Sequence, residues 1–420
     1  MQTKKVYFKT FGCRTNVFDS QVMISKLQGH EVTENETEAD IVIVNSCTVT
    51  NSADSGVRSY INQVNKDNSK KIFLTGCGAH SKGESLFKAG KVNGVFGQSE
   101  KAKINTLLAK EEKFYEIGDL EFVDENIVDD FVGKSRAFIK VQEGCSFRCN
   151  YCIIPSVRGD ARSINEKLIL EQITRLASNG YGEFVLTGTN VGSYGNGEKR
   201  SIASLMKRMS QIRGVRRIRL GSLEPTQIND EFKEILDEPW LERHLHIAIQ
   251  HSSPEMLKLM NRRNNYKHDL ELFNLLSEKG FAIGTDFIVG HPGENEELWC
   301  EAIKNIIQMP LTHIHAFTYS ARDNTPSATM KQQVNGAVAK ERLKELTNII
   351  DQKNLAFREK YSSKELEVLI ESKHDELYSG YDQFYNKVLV QSSEDIEGDW
   401  INIQDYKVKE DENYAKFKRS

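Results

Sequence analysis

The sequence predicts an α/β protein in three parts: an N-terminal doubly wound parallel sheet, a central partial (β/α)6 barrel and a small C-terminal β-rich module. Three observations predict it. Strand-like and helical runs alternate through the first part, which implies parallel strands joined by helices. Strand–helix units recur from Ala137 onward, the pattern of a barrel. Beyond the last long helical stretch the pattern turns strand-like. The boundaries fall at 1–115, 116–133, 134–361 and 362–420. The second segment reads as a linker, since it holds the acidic stretch from Glu116 to Asp130.

In the first part, Val6 to Phe11 reads as a strand that stops at Gly12-Cys13. Ile41 to Val44 is a β-branched run that stops at Asn45-Ser46-Cys47, and Ile72 to Thr75 is a third that stops at Gly76-Cys77. Helical stretches follow near 17–28, 49–66 and 84–89, with Asn16 or Asp19 as the cap of the first. Doubly wound sheets bind ligands beyond the carboxyl ends of their strands. Cys13, Cys47 and Cys77 all stand at that edge. One free cysteine is often simply buried, but three at successive strand ends point to a shared metal. The spacing leaves open zinc with a distant histidine, His80 being nearest in sequence, or an iron–sulfur cluster with one open iron.

The barrel strands are expected near 137–142, 183–188, 216–221, 244–250, 282–289 and 312–318. Its helices are expected near 165–179, 201–212, 230–237, 267–279 and 294–308. Barrel sites lie at the carboxyl ends of the strands. After the first strand comes Gly144-Cys145-Ser146-Phe147-Arg148-Cys149-Asn150-Tyr151-Cys152, a C-x3-C-x2-C spacing. Three thiolates hold three corners of a 4Fe-4S cube, where full ligation takes four, so one iron stays open for a small molecule. Zinc would need a histidine as fourth ligand, and none stands near the triad in sequence. A disulfide would leave one thiol over and suits a secreted protein better. Gly188, Thr189 and Asn190 end the second strand, Ser222 and Glu224 the third, Gln250 the fourth, and Asp286 to Gly290 the fifth. Each is a candidate cofactor contact or a plain strand-end residue. His244 and His246 alternate along a strand and read as packed or exposed residues before metal ligands. Cys300, alone in a helix, reads as core.

A helical stretch near 335–361 closes the barrel, and strands follow at Leu366 to Ile370, Lys387 to Val390 and Trp400 to Ile403. Residues 364–420 carry 8 Lys/Arg against 14 Asp/Glu, a net of 8 − 14 = −6, where phosphate binding favours basic residues. Only the tail, Lys416 to Arg419, is basic. The chain has 420 residues, 39% hydrophobic and 28% charged, with net charge −4, so any RNA contact must come from local patches. Three sets are candidates for phosphates or for an ordinary solvated face: Arg208, Arg213, Arg216, Arg217 and Arg219; Lys258, Arg262, Arg263 and Lys267; and Arg158 with Arg162. No apolar run approaches the ~18 residues of a membrane span. The start lacks a signal peptide's apolar core. The expected place is the cytoplasm, where thiols stay reduced.

The C-x3-C-x2-C spacing is similar to that of radical S-adenosylmethionine (SAM) enzymes. With Cys13, Cys47 and Cys77 ahead of it, the chain resembles the radical-SAM methylthiotransferases. Further motifs carry the likeness: Leu186 to Gly195, Gly221 to Pro225, His244 to Gln250, Met260 to Arg263, Gly284 to Glu294 and Phe317 to Ser320. The loop Gly12-Cys13-Arg14-Thr15-Asn16 is similar to the G-C-K-x-N form of the MtaB type, which acts on N6-threonylcarbamoyladenosine. It departs from the G-C-Q-M-N form of the isopentenyladenosine type. His291 departs from the phenylalanine more usual at its position.

The resemblance implies an enzyme with two 4Fe-4S clusters and two SAM molecules. The Cys145/Cys149/Cys152 cluster would bind and cleave SAM, and the Cys13/Cys47/Cys77 cluster would hold the sulfur. It implies Tyr151 packing on the SAM adenine and Gly188, Thr189 and Asn190 against its methionine, with Ser222 and Gln250 as further contacts. It implies a TRAM-like RNA-binding module at the C-terminus. The implied partners are the tRNA anticodon loop, an electron donor such as flavodoxin or ferredoxin, and a sulfur donor, with the enzyme a monomer off the membrane. Competing readings are the same chemistry on isopentenyladenosine or on a ribosomal-protein aspartate, and a zinc-stabilised RNA-binding protein.

Overall fold

The computed structural model describes residues 3–131, 135–195 and 200–419. The expected boundary between 133 and 134 lies outside them. Six parallel strands form the first sheet, in the spatial order Glu31–Val32, Lys5–Thr10, Ile41–Ser46, Lys71–Gly76, Gly94–Phe96 and Phe114–Glu116. The three strands read from sequence are its centre. Ile41–Ser46 is buried along its whole length, as a parallel strand covered on both faces must be. Sheet growth reverses between Lys5–Thr10 and Ile41–Ser46, so a crevice opens beyond their carboxyl ends. Cys13 and Cys47 follow those two strands.

The first helix, Arg14–Lys26, starts at Cys13 without a side-chain cap. Neither Asn16 nor Asp19 caps it, contrary to expectation. Both are buried and turned toward neighbouring segments. Phe18 and Val22 of this helix join the barrel's core, together with Val128 and Phe131 from the connecting segment. One continuous apolar core therefore spans the junction.

Six parallel strands make the barrel: Ala137–Lys140, Glu183–Thr187, Arg217–Leu220, His244–His246, Ala282–Val289 and His313–Thr318. Ladders join the first three and the last three. Single bridges at Ile218–Leu241 and Leu223–Ile247 connect the halves. Among the described residues no ladder pairs the first strand with the last, so the barrel is open along one side. The helix Gly336–Lys360 packs behind the last strands, with Leu346 and Ile350 fully buried.

The C-terminal sheet has six strands, in the order Trp400–Ile403, Leu366–His374, Leu377–Tyr381, Lys387–Gln391, Asn413–Lys416 and Tyr406–Val408. Among the described residues only its Lys387–Gln391 and Asn413–Lys416 pair is parallel. The module docks on the barrel through two arginines that the sequence offered as phosphate contacts. Arg217 and Arg219 are 3% and 1% exposed. Arg217 pairs with Glu183 and Glu367, and Arg219 with Glu183, Glu242 and the Asp382 carbonyl. Trp400 stacks on Arg216 and Arg217. A buried guanidinium already paired with carboxylates of its own chain is not available to a phosphate. Cys300 is exposed and is not core. No helix among the described residues is long and apolar enough to cross a membrane.

Candidate functional site

The three cysteines of the C-x3-C-x2-C loop line a cavity of about 430 Å³ at the carboxyl ends of the barrel strands. Tyr151, Gly188, Thr189, Asn190, Ser222 and Gln250, each read as a cofactor contact, line the same cavity. So does Cys13.

The loop is braced from two sides. Gln142, fully buried, donates to the Glu143 and Gly144 carbonyls at 2.8 and 2.6 Å and accepts from the Asn190 backbone N–H at 2.8 Å. Thr189 Oγ1 accepts from the Gly144 N–H at 3.0 Å. The cysteine loop is thus tied to the end of the second strand. From the other side, the Asn150 side chain donates to the Leu259 carbonyl at 2.8 Å, and Asn261 donates to the Arg148 carbonyl at 2.6 Å. Arg262 follows. Its guanidinium pairs with Glu224, reaches the Ala248 carbonyl at 2.5 Å and stands 3.7 Å from Cys149 Sγ. The sequence placed Arg262 among phosphate contacts or on a solvated face; it is instead a buried cation beside a thiol. Asn190 Nδ2 lies 3.5 Å from Cys145 Sγ and is held by Gln227 at 2.6 Å.

Tyr151 is supported by His291, whose ring meets it edge-on with centroids 6.4 Å apart. Burial pushes His291 down to about 4. It is therefore neutral near pH 7, donates from Nδ1 to the Pro292 carbonyl at 2.9 Å, and accepts at Nε2 from Ser327 at 2.7 Å.

Cys13, Cys47 and Cys77 meet at one edge of the first sheet. Two glycines allow the approach. Gly12 has φ +96°, and a Cβ there would stand 2.6 Å from Cys47 Cβ. Gly76 has φ +88°, and a Cβ there would stand 2.4 Å from the Ser46 carbonyl. Only glycine suits positive φ with so little room. Asn16 ties the loops together by donating to the Phe11 and Ser46 carbonyls at 2.7 and 3.1 Å.

Arg158 was read as a possible RNA contact. It is 2% exposed and donates to Cys77 Sγ at 3.2 Å, to Asp19 at 2.9 Å and to Asn16 Oδ1 at 2.5 Å, and pairs with Glu143. It belongs to a buried network at the junction. Asp19 also meets Lys101 at 2.7 Å and Lys140 at 2.8 Å. Lys140 meets Asp124 at 2.6 Å and Glu143 at 3.0 Å. Asp124 also meets Lys101. Three cations face three carboxylates, drawn from the first part, the connecting segment and the barrel. Arg162 is likewise spent on protein carbonyls, of Phe122, Arg158 and Asp160.

Each trio therefore has one buried guanidinium at one of its sulfurs. Burial pushes the Cys47 thiol up to about 11 and the Cys152 thiol up to about 12. Burial also raises Cys77 and Cys149, against the pull of Arg158 and Arg262. Thiols so placed become thiolates only when a bound cation compensates their desolvation, as in metal ligation. Thiolates on one zinc stand about 3.8 Å apart, given a Zn–S bond of about 2.3 Å. Among the described residues neither trio brings its three sulfurs within 4.8 Å of one another. Gln250 Oε1 and the Tyr319 hydroxyl are buried without a hydrogen-bond partner among the described residues. Gln250 is also held at φ +65°. Strain and orphaned polar atoms in one cavity mark a ligand site.

Comparison with known proteins agrees. Residues 5–97 match the model described as "Uncharacterized protein family UPF0004", and residues 139–306 match the radical SAM superfamily. A Helicobacter pylori (strain J99) protein with the provisional name methylthiotransferase is 52% identical over 99% of this chain and 100% of that one. "Threonylcarbamoyladenosine tRNA methylthiotransferase MtaB" of Bacillus subtilis is 32% identical over 99% of this chain and 96% of that one. "tRNA-2-methylthio-N(6)-dimethylallyladenosine synthase" of Sulfurihydrogenibium is 34% identical over 96% and 97%. Among solved structures, the radical SAM methyltransferase TsrM of Kitasatospora setae has a TM-score of 0.58 at 14% identity, covering 78% of this chain and 74% of that one. That likeness speaks to the fold alone, and the fold is that of a radical SAM enzyme. The chain belongs to the radical SAM methylthiotransferase family. Membership implies a 4Fe-4S cluster and SAM.

Proposed function

We propose that this enzyme adds a methylthio group to carbon 2 of N6-threonylcarbamoyladenosine beside the tRNA anticodon (position 37), using two 4Fe-4S clusters and two SAM molecules. The observation that carries the reading is the shared cavity, lined by Cys13 from one trio and by all three cysteines of the other. A substrate carbon admitted there would face both centres.

An aromatic C–H is not acidic, so a general base has little to offer at carbon 2. Held by Cys145, Cys149 and Cys152, a reduced cluster with SAM supplies radical chemistry strong enough for such a bond. The protein's part is placement. Tyr151 offers a ring to an adenine, and His291 keeps that ring upright. Gly188, Thr189 and Asn190 offer backbone and side-chain polar groups whose position Gln142 fixes. Gln250 and Tyr319 offer unspent polar atoms. Arg262 and Arg158 supply positive charge to one thiolate in each trio, which favours their ionised form.

The choice of base rests on Arg14. A second cavity, of about 420 Å³, is lined by Cys13, Arg14, His246, His315 and Tyr385, among others. The Arg14 guanidinium donates to the Tyr385 hydroxyl at 2.9 Å. A cation beside Cys13 suits the carboxylate of a threonylcarbamoyl group, whereas a dimethylallyl group carries no charge. Relatives named for either base are about equally similar, so the proposed base leans on Arg14. An RNA loop presents such a base splayed from its stack. The cycle also requires a low-potential electron donor and a sulfur donor.

The test is nucleoside mass spectrometry of tRNA from cells lacking the gene. The expected result is loss of 2-methylthio-N6-threonylcarbamoyladenosine with its unthiolated precursor accumulating. Loss of the isopentenyl analogue instead would overturn the base assignment, and unchanged tRNA would overturn the substrate class.

A further inference from the structure

His246, Asp286 and His315 lie on three adjacent barrel strands and point at one another. In register, His246 stands opposite Gly284 and Asp286 opposite His315. We propose that these three residues form a mononuclear site for a divalent first-row metal ion, separate from both cysteine trios. The inference does not depend on which base is modified.

Among the described residues this is the set of three whose ligand atoms all lie within 4.8 Å of one another. Asp286 Oδ1 stands 3.1 Å from His246 Nε2 and 3.6 Å from His315 Nδ1. Ligands held at about 2.0–2.2 Å from one ion stand about 3.0 Å apart in an octahedron and about 3.4 Å apart in a tetrahedron. The observed 3.1 and 3.6 Å lie close to these values.

An ordinary histidine–aspartate hydrogen bond accounts for less. Nε2 of His246 is buried 3.1 Å from the Asp286 carboxylate, but among the described residues that contact lacks the alignment of a full hydrogen bond. Nε2 of neighbouring His244 is also buried and unpartnered. The rings of His246 and His315 stack at 4.7 Å between centroids, so both present nitrogens toward one carboxylate. Gly284 makes the space. A Cβ there would stand 2.7 Å from His246 Nδ1 and 2.8 Å from His244 Nε2. The two histidines also border the cavity that reaches Cys13 and Arg14. An ion held by three protein ligands would keep open positions facing that cavity. Two imidazoles and one carboxylate suit Zn²⁺ or Fe²⁺.

The test uses the full-length, cluster-reconstituted protein, dialysed anaerobically against micromolar Zn²⁺ and analysed for zinc and iron. The expected result is one zinc per chain beyond the iron. His315→Ala and Asp286→Asn should each weaken zinc binding at least tenfold with iron unchanged. His315 is exposed and the Asp286→Asn change is nearly isosteric, so one of the two variants keeps the fold even if the other does not. The proposal is overturned if the wild-type protein retains no zinc. It is equally overturned if both variants hold as much as wild type, which would place the ion at the cysteines.

Discussion

Replacing Cys47 by alanine is expected to separate two activities that Cys149→Ala loses together. In Cys47→Ala, SAM cleavage to 5′-deoxyadenosine continues near the wild-type rate. The methylthiolated nucleoside falls by more than about 10³-fold, roughly 4 kcal/mol in barrier. The reason is architectural. The hydrogen bonds that brace the Cys145–Cys152 loop come from the barrel, through Gln142, Asn190, Gln227, Glu224 and Arg262. Cys47 lies across the junction, packed on Gly12, and touches none of these groups. Cys149→Ala removes one of the three thiols proposed to hold the SAM-cleaving cluster and leaves Arg262 facing no sulfur, so both products are expected to vanish. Measuring both products in one reaction by mass spectrometry checks this. Full methylthio product from Cys47→Ala, or loss of 5′-deoxyadenosine from it, would contradict the division of labour.

Asp19→Asn is expected to destabilise the protein by about 3–5 kcal/mol, the usual consequence of removing one partner from a buried ion network. The change preserves size. It leaves Lys101, Lys140 and Arg158 facing Asp124 and Glu143 alone, with side chains too buried for bulk solvent to screen the excess charge. Asp19 is 0% exposed. Burial pushes its pKa up, but Lys101, Lys140 and Arg158 more than offset that and hold it well below the usual carboxylate range. Asp124 is lowered by the same opposition of burial against Lys101 and Lys140. A depressed carboxylate contributes stability above its unfolded value of about 3.9, lost as pH falls through the folded value. Wild-type stability from this network should therefore be flat near neutral pH and decline below about pH 4, and Asp19→Asn should show less of that decline. Urea midpoints across pH 3–8 measure it. Equal midpoints for wild type and variant at pH 7 would contradict the account.

What the sequence made legible follows from how each feature is encoded. The central strands and barrel helices were readable because β-branched runs and helical periods are local. Gly94–Phe96 and Phe114–Glu116 were not, since three residues carry no period and their pairing is tertiary. The six thiols were readable as two trios because strand ends and loop spacing are visible in one dimension. The arginines were misread for the opposite reason. Arg158, Arg217, Arg219 and Arg262 look like solvated charge until the fold supplies Asp19, Glu183, Glu242 and Glu224 as partners. Arg262 had a usable signal, since it lies within the Met260–Arg263 motif; Gln142, just ahead of the cysteine loop, had position alone. His246, Asp286 and His315 come from three separated segments, and only strand register brings them together.

The most direct measurement is iron per chain after anaerobic reconstitution, in wild type, Cys77→Ala, Cys149→Ala and the double variant. Two cysteine trios that each hold a four-iron cluster predict about eight, four, four and zero irons respectively. Four irons in wild type that survive Cys77→Ala and vanish in Cys149→Ala would mean that the first trio holds no cluster.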